Sequence, residues 1–103
     1  MIFNKLVRDK IPEMIAANGQ DAQYRILSDE EYRYFLEAKL DEEVGEYHRD
    51  QTIEELADIL EVVYALAATV GCSPQQLMDI YQKKHEARGG FENRIFLISS
   101  ELG

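Results

Sequence analysis

Acidic residues are crowded into one short part of this chain. Residues 39–61 (KLDEEVGEYHRDQTIEELADILE) contain nine carboxylates and, after the opening lysine, a single basic residue, Arg49. Like charges three or four positions apart on a helix repel each other by about 0.2–0.5 kcal/mol per pair. The stretch is therefore either a solvated acidic surface, which is the common case for such charges, or a place where a cation binds.

The spacing of four of these acids favours a cation site. If the stretch folds as two antiparallel helices with a turn near residues 50–51, positions equidistant from the turn lie opposite each other. Glu46 then faces Glu55, and Glu43 faces Asp58. Within each helix the two acids are three positions apart and share a face. Four carboxylates from two helices are thus expected to converge on one small volume.

Two of the four acids lie on apolar sides of their helices. Glu43 falls within a stripe of apolar residues on the first helix, and Glu55 falls within a broad apolar arc on the second. Clustered carboxylates beside buried surface take up protons unless a cation neutralises them. Mg²⁺, or alternatively Mn²⁺, prefers such oxygen ligands. The chain has no Cys/His cluster, so zinc is not expected.

Helices must position these acids, and the sequence carries clear signals for their ends. Capping boxes at Ser28/Glu31 and Thr52/Glu55 open the two helices of the hairpin, and Ser73-Pro74 opens a third. The predicted helices run from Pro12 to Ala17, from Asp29 to about Arg49, from Thr52 to about Val70, and from Pro74 to just before Gly89. Residues 23–27 (QYRIL) and 94–99 (RIFLIS) are rich in strand formers and predict a short two-stranded β element. The predicted class is all-α with this minor β element.

The acidic residues now placed, Glu42-Glu43-x-x-Glu46 followed by Glu55-x-x-Asp58, resemble the EExxE…ExxD signature of the MazG-like, all-α nucleoside triphosphate pyrophosphohydrolases. The stretches NKLVRDKIPEMI near the start and KKHEARGGFENRIFL near the end look like the branch described as predicted house-cleaning, noncanonical nucleotide pyrophosphatases. Only eight residues separate Glu46 from Glu55, fewer than in many MazG relatives, which shortens the hairpin.

The resemblance implies a fold, a metal and a reaction. It implies one MazG-like domain over residues 1–103, whose hairpin forms a four-helix bundle on oligomerisation. It also implies Mg²⁺-dependent hydrolysis of a nucleoside triphosphate, noncanonical in this branch, to a monophosphate and pyrophosphate. The implied Mg²⁺ ligands are Glu43, Glu46, Glu55 and Asp58. Glu42 is expected to act as a catalytic base or to support the metal ligands.

The basic residues are expected to bind the phosphates of this substrate. Seven of the eleven Lys and Arg residues lie near the two ends of the chain, away from the acids. A triphosphate carries more negative charge than one metal ion cancels, so cationic side chains must hold the remainder. The residues expected to do so are Lys5, Arg8, Lys83, Lys84 and Arg88. Asp9 is expected to orient Arg8 through a salt bridge.

Composition limits the other possibilities. The net charge of -9 argues against nonspecific nucleic-acid binding, and the single cysteine, Cys72, excludes an intrachain disulfide. The chain shows no signal peptide and no apolar run of membrane-spanning length, so a cytoplasmic protein without membrane or nucleic-acid partners is expected. The apolar arc of the second hairpin helix is too broad for one small chain to cover, which predicts a homodimer or higher homo-oligomer.

Two rival functions fit parts of the pattern. Phosphoribosyl-ATP pyrophosphohydrolases belong to a neighbouring family with a similar fold and the same chemistry. A noncatalytic acidic helical module that binds a protein partner would also keep the acids, but it would not need facing pairs or basic ends.

Overall fold

Helices dominate the chain, and the three longer ones begin at a Ser or Thr cap. The computed structural model describes residues 2–101, which form four α-helices: α1 (Ile11–Ala17), α2 (Asp29–Asp50), α3 (Ile53–Thr69) and α4 (Pro74–Arg88). The Ser28 hydroxyl accepts from the Glu31 backbone N–H at 3.2 Å, and the Glu31 carboxylate accepts from the Ser28 N–H at 3.1 Å. An equivalent capping box opens α4. All four predicted helices are confirmed, with ends within one residue of those expected.

The turn between α2 and α3 sets up the hairpin. Gln51 adopts a left-handed conformation (φ 50°, ψ 41°), and its N–H donates to the Tyr47 carbonyl at 2.7 Å, which ends α2. Thr52 then caps α3 by accepting from the Glu55 N–H at 3.4 Å. Among the described residues, only this half of the predicted capping box forms, because the Glu55 carboxylate lies with two other acids instead.

The predicted two-stranded β element is wrong. Within residues 2–101 the structure contains no strand, and residues 23–27 and 94–99 are both irregular. Their apolar side chains other than Leu27 are exposed, including Ile26 in the first segment and Ile95 and Ile98 in the second. The strand-forming tendency of such residues is expressed only where a neighbouring strand or buried face supports it. Neither segment has that support in this chain.

Packing within one chain is limited. α2 packs along α3, α4 contacts α3 alone, and α1 contacts no other described helix. α4 diverges from α3 through a bend of 106°. The radius of gyration is 18.5 Å, whereas a globular chain of this length has about 13 Å. Only two apolar residues, Leu36 and Val62, are buried among those described.

No single helix among residues 2–101 has the length and hydropathy of a membrane span. α3 and α4 meet those criteria only when taken together as a sharply bent pair.

An apolar stripe on α3 faces away from α2. Ile53, Leu56 and Leu60, at positions i, i+3 and i+7 of one helical face, are all exposed, and Leu60 is 50% accessible. A chain with this little core needs additional apolar burial to be stable. We therefore expect a second copy of the chain to cover the stripe.

Replacing Leu60 by Lys should dissociate that assembly, since it places a charge in the apolar contact. Sedimentation should show the unaltered chain as a dimer or larger species and the Leu60→Lys variant as a monomer. Ala38→Lys, an exposed position on the solvent side of α2, is the matched control and should assemble normally. A monomeric unaltered chain at micromolar concentration would rule out this role for the stripe.

Candidate functional site

Three carboxylates meet between the two hairpin helices. Glu43 of α2 and Glu55 and Asp58 of α3 each offer an oxygen atom, and these three atoms lie within 4.8 Å of one another. Two oxygens on opposite sides of one divalent ion are about 4–5 Å apart. The acidic triad, Glu43, Glu55 and Asp58, could therefore hold one metal ion. The prediction that Glu43 faces Asp58 across the hairpin agrees with this geometry.

Glu46 lies beside the acidic triad without belonging to it. Its charge acts on both Glu43 and Glu55 and raises the pKa of each. Of the four acids expected from the sequence, the structure thus brings three together and places the fourth next to them.

Two oxygens of the acidic triad are buried without a donor. Glu43 is only 6% exposed, in contrast to most charged residues. Its Oε2 atom and the Oε2 atom of Glu55 are buried and have no hydrogen-bond partner among the described residues. A buried carboxylate oxygen without a partner costs free energy that a bound cation would recover. This is a stronger indication of a cation site than the number of acids alone.

The protonation of these groups reflects the same crowding. Burial raises the pKa of Glu43, and the charge of Glu46 raises it further, while Lys39 opposes both. Burial also raises the pKa of Glu55, and the charges of Glu46, Asp58 and Asp50 add to this effect. In the absence of a cation, the cluster is therefore easier to protonate than ordinary glutamates are.

Basic side chains from two segments surround the acidic triad. Arg8 Nη2 donates to Asp58 Oδ1 at 2.6 Å, rather than pairing with Asp9 as expected from the sequence. Lys39 Nζ lies 3.4 Å from carboxylate oxygens of both Glu43 and Glu42, and its side chain is only 18% exposed. Sequence reasoning missed Lys39, although its position four residues before Glu43 places both on one helical face.

Glu42 occupies a separate position from the acidic triad. Its carboxylate lies 3.4 Å from Lys39 Nζ and 3.9 Å from Lys5 Nζ. The two lysines fix its orientation at the edge of the site. Its role as a catalytic base stays a prediction.

The basic residues of α4 are far from the acids of the same chain. Lys83, Lys84 and Arg88 are all exposed. Given the bend between α3 and α4, a rise of about 1.5 Å per residue puts the basic end of α4 roughly 20 Å from Asp58. One chain therefore does not bring these three residues to the acidic triad.

A cavity of about 170 Å³ adjoins the acidic triad. The N-terminal segment, residues 6–9, forms one wall, and the two hairpin helices form the others. The residues that line it from α2 and α3 are Tyr32, Leu36, Lys39, Glu43, Asp58, Glu61, Val62 and Ala65. We call it the hairpin cavity. A larger but shallow depression of about 380 Å³ lies at the junction of α3 and α4, away from the acids.

Comparisons with known proteins give one partial relative. A 48-residue stretch is 54% identical to an uncharacterized protein of Mycolicibacterium smegmatis (strain ATCC 700084 / mc(2)155), covering 47% of this chain and 49% of the relative. The matched stretch therefore spans about half the length of that protein. No protein-family model matches the chain, and no solved structure matches it. The resemblance to MazG-like enzymes stays a prediction.

The raised pKa values predict how stability depends on pH. A carboxyl group whose pKa is higher in the folded state stabilises that state below its ordinary value of 4.5, and this contribution is lost as pH rises through the raised pKa. Replacing Glu43 by Gln removes the buried charge. Without added divalent metal, Glu43→Gln should therefore melt at a higher temperature than the unaltered chain at pH 7.5, and the gain should shrink at pH 4.

Glu31 does not confuse this measurement. A hydrogen bond from Arg25, followed by one from the Ser28 backbone, lowers the pKa of Glu31 to about 2, so its contribution to stability is lost as pH falls from 4.5 toward 2. Glu31 is present in both proteins, so this contribution cancels when Glu43→Gln is compared with the unaltered chain at the same pH. Glu37→Gln, on an exposed part of α2, is the control and should show little change at either pH. Equal melting temperatures for Glu43→Gln and the unaltered chain across this range would show that Glu43 carries no buried charge.

Proposed function

We propose that this chain is a Mg²⁺- or Mn²⁺-dependent nucleoside triphosphate pyrophosphohydrolase of the MazG-like kind, which releases pyrophosphate and a nucleoside monophosphate. The single observation that carries the proposal is the pair of buried, unpartnered carboxylate oxygens of Glu43 and Glu55 beside Asp58. A solvated acidic surface would not bury these atoms.

The donor set fits a hard divalent cation. The ligand atoms of the acidic triad are carboxylate oxygens, and Glu46, whose charge acts on Glu43 and Glu55, is proposed as the fourth ligand. Mg²⁺ and Mn²⁺ prefer oxygen ligands, whereas zinc usually takes His and Cys. When bound, such an ion neutralises phosphate charge and lowers the pKa of a coordinated water molecule.

The surrounding side chains suit a polyphosphate. Arg8 already lies against Asp58, and Lys39 lies against Glu43, so both cations are at the edge of the proposed metal site. A guanidinium group binds phosphate oxygens through two parallel hydrogen bonds, and an ammonium group binds them as a point charge. We propose that Arg8 and Lys39 exchange carboxylate contacts for phosphate contacts when the substrate binds, with Lys5 assisting.

Glu42 is the candidate base. A general base must be ionised and within hydrogen-bond reach of the water whose proton it accepts. Without substrate, Lys5 and Lys39 lie beside the Glu42 carboxylate at the edge of the site, one residue from Glu43. Transfer of the two lysines to the phosphates would free this carboxylate to accept a proton. In this role Glu42 would take a proton from the water molecule that attacks the phosphorus atom.

A second copy of the chain would complete the arrangement. Two hairpins packed through the exposed stripe of α3 would form the MazG-like four-helix bundle, with apolar faces turned inward. Because the basic end of α4 is far from the acids of its own chain, we propose that Lys83, Lys84 and Arg88 serve the site of the partner. This division would explain why so many cations lie on a helix that points away from the acidic triad.

Two alternative functions differ from this one in substrate or in chemistry. Hydrolysis of phosphoribosyl-ATP would use the same acids and the same metal, so it differs only in substrate. A noncatalytic acidic module is compatible with the exposed apolar stripe of α3, which would then contact a different protein. Such a module would not need a metal ion, so metal dependence separates it from the enzyme.

Asp58→Asn should abolish Mg²⁺-dependent pyrophosphate release with the fold retained, since a neutral amide is a much weaker ligand than a carboxylate.

Mg²⁺ should also raise the melting temperature of the unaltered chain, because a ligand at a hundred times its Kd stabilises the folded state by about 2.7 kcal/mol. The variant should lose most of this shift. Asp41→Asn, on an exposed part of α2, is the control and should behave as the unaltered chain. Undiminished turnover by Asp58→Asn at low Mg²⁺ would exclude the metal assignment.

Mixing two inactive variants tests the sharing of residues between subunits. Asp58→Asn removes a ligand, and Arg88→Ala removes a phosphate contact that we assign to the partner. A dimer containing one chain of each kind should have one intact site, so random mixing should restore roughly a quarter of full activity. Mixing Asp58→Asn with Glu55→Gln is the control and should restore nothing. Failure of the first mixture to regain activity would show that Arg88 does not serve the site of the partner.

A further inference from the structure

The hairpin cavity has a charged end and an apolar end. At its charged end lie Glu43 and Asp58 of the acidic triad, together with Arg8 and Lys39. The rest of its lining includes Leu36, Val62 and Ala65 of the helices and the ring of Tyr32, together with two further acids, Asp9 and Glu61. A ligand bound there would place an anionic group at one end and an apolar or flat group at the other. A nucleotide has this division of chemistry.

The hairpin cavity is partly open to solvent, and its volume matches a single ring. Pockets that enclose a drug-sized ligand usually measure about 300–1,000 Å³, and a cavity of about 150 Å³ with aliphatic walls binds benzene. At about 170 Å³, the hairpin cavity matches the second case. A fused two-ring purine exceeds this volume and would project from the open side of the cavity unless one of the walls moved.

We propose that the hairpin cavity binds the base of the substrate and selects pyrimidine over purine nucleotides by its size. This inference rests on the proposed function and assigns a substrate class to the same site. The phosphates extend from the cavity toward Arg8, Lys39 and the acidic triad, and the single ring lies between Leu36 and the N-terminal segment.

The N-terminal segment is the wall that sets the size limit. Residues 6–9 are irregular, and without substrate they are held against the hairpin by the contact of Arg8 with Asp58 and by Lys5 near Glu42. With substrate bound, the phosphates would link the same basic side chains to the site. Leu6 and Val7 are half-buried between these two anchors. The opposite wall consists of α2 and α3, whose spacing is fixed by their mutual packing. A change at Leu6 therefore alters the volume of the cavity without removing a core residue of the hairpin.

The first test measures binding without turnover. Affinities for the α,β-imido analogues of CTP, UTP, ATP and GTP are measured by calorimetry in the presence of Mg²⁺. A pocket that excludes an additional group usually discriminates by about tenfold or more. We expect both pyrimidine analogues to bind at least about tenfold more tightly than both purine analogues. Equal binding of all four, or tighter binding of the purines, would overturn the proposal.

Two variants test the cavity from opposite directions. Ala65→Phe fills it and should weaken binding of the CTP analogue by about tenfold or more, while binding of Mg²⁺ tripolyphosphate, which has no base, stays unchanged. Ala68→Phe, on an exposed part of α3 outside the cavity, is the matched control. Leu6→Ala enlarges the cavity and should narrow the preference for pyrimidines. If Ala65→Phe does not fold, an unchanged preference in Leu6→Ala would by itself contradict the assignment.

The outcomes separate the two proposals. If pyrophosphate is released from purine and pyrimidine triphosphates at equal kcat/KM, the proposed function holds and the size selection fails. If no triphosphate is hydrolysed and no analogue binds, both fail. If the analogues bind with the expected preference but no pyrophosphate is released, the cavity is a nucleotide site in a protein that is not a pyrophosphohydrolase.

Discussion

The arrangement of this chain depends on the repulsion among carboxylates that are partly removed from water between α2 and α3. The packing of these helices buries Glu43 and one oxygen of Glu55, and it places Asp58 and Glu46 close by. Burial and mutual repulsion both disfavour the ionised forms, as the raised pKa values of Glu43 and Glu55 show. Arg8 and Lys39 compensate part of this charge. A divalent cation would compensate the rest, and for this reason metal binding and hairpin stability should be coupled.

The same hairpin leaves most of its apolar surface uncovered. One chain buries two apolar side chains among the described residues and extends 67 Å along its longest axis. Assembly with a second copy would do two things at once. It would cover the α3 stripe, and it would bring the basic end of α4 toward a neighbouring acidic triad. Stability and phosphate binding would then depend on one interface, so that neither could change without affecting the other.

The sequence predicted the helices well because their ends are encoded locally. The side chains of Ser28, Thr52 and Ser73 bind the first backbone N–H groups of α2, α3 and α4, and this information lies within four residues of each helix start. The facing acids followed from the length of the turn. The β element was wrong because the strand-forming character of residues 23–27 and 94–99 is local, whereas strand pairing requires contacts between distant segments. The contact of Arg8 with Asp58 and the position of residues 6–9 against the hairpin also depend on tertiary packing, which local patterns do not specify.

The central claim is that the acidic triad binds a hard divalent cation. Titration with Mn²⁺, followed by electron paramagnetic resonance, tests this claim most directly. Free Mn²⁺ gives a strong resonance signal and bound Mn²⁺ a weak one, so the loss of signal measures binding. Glu54 and Glu55 are adjacent on the first turn of α3, but only Glu55 belongs to the triad. We expect saturable binding of Mn²⁺ to the unaltered chain, competition by Mg²⁺, normal binding by Glu54→Gln and a severe loss in Glu55→Gln. Equal Mn²⁺ affinity in the two variants, or no saturable binding to the unaltered chain, would contradict the claim.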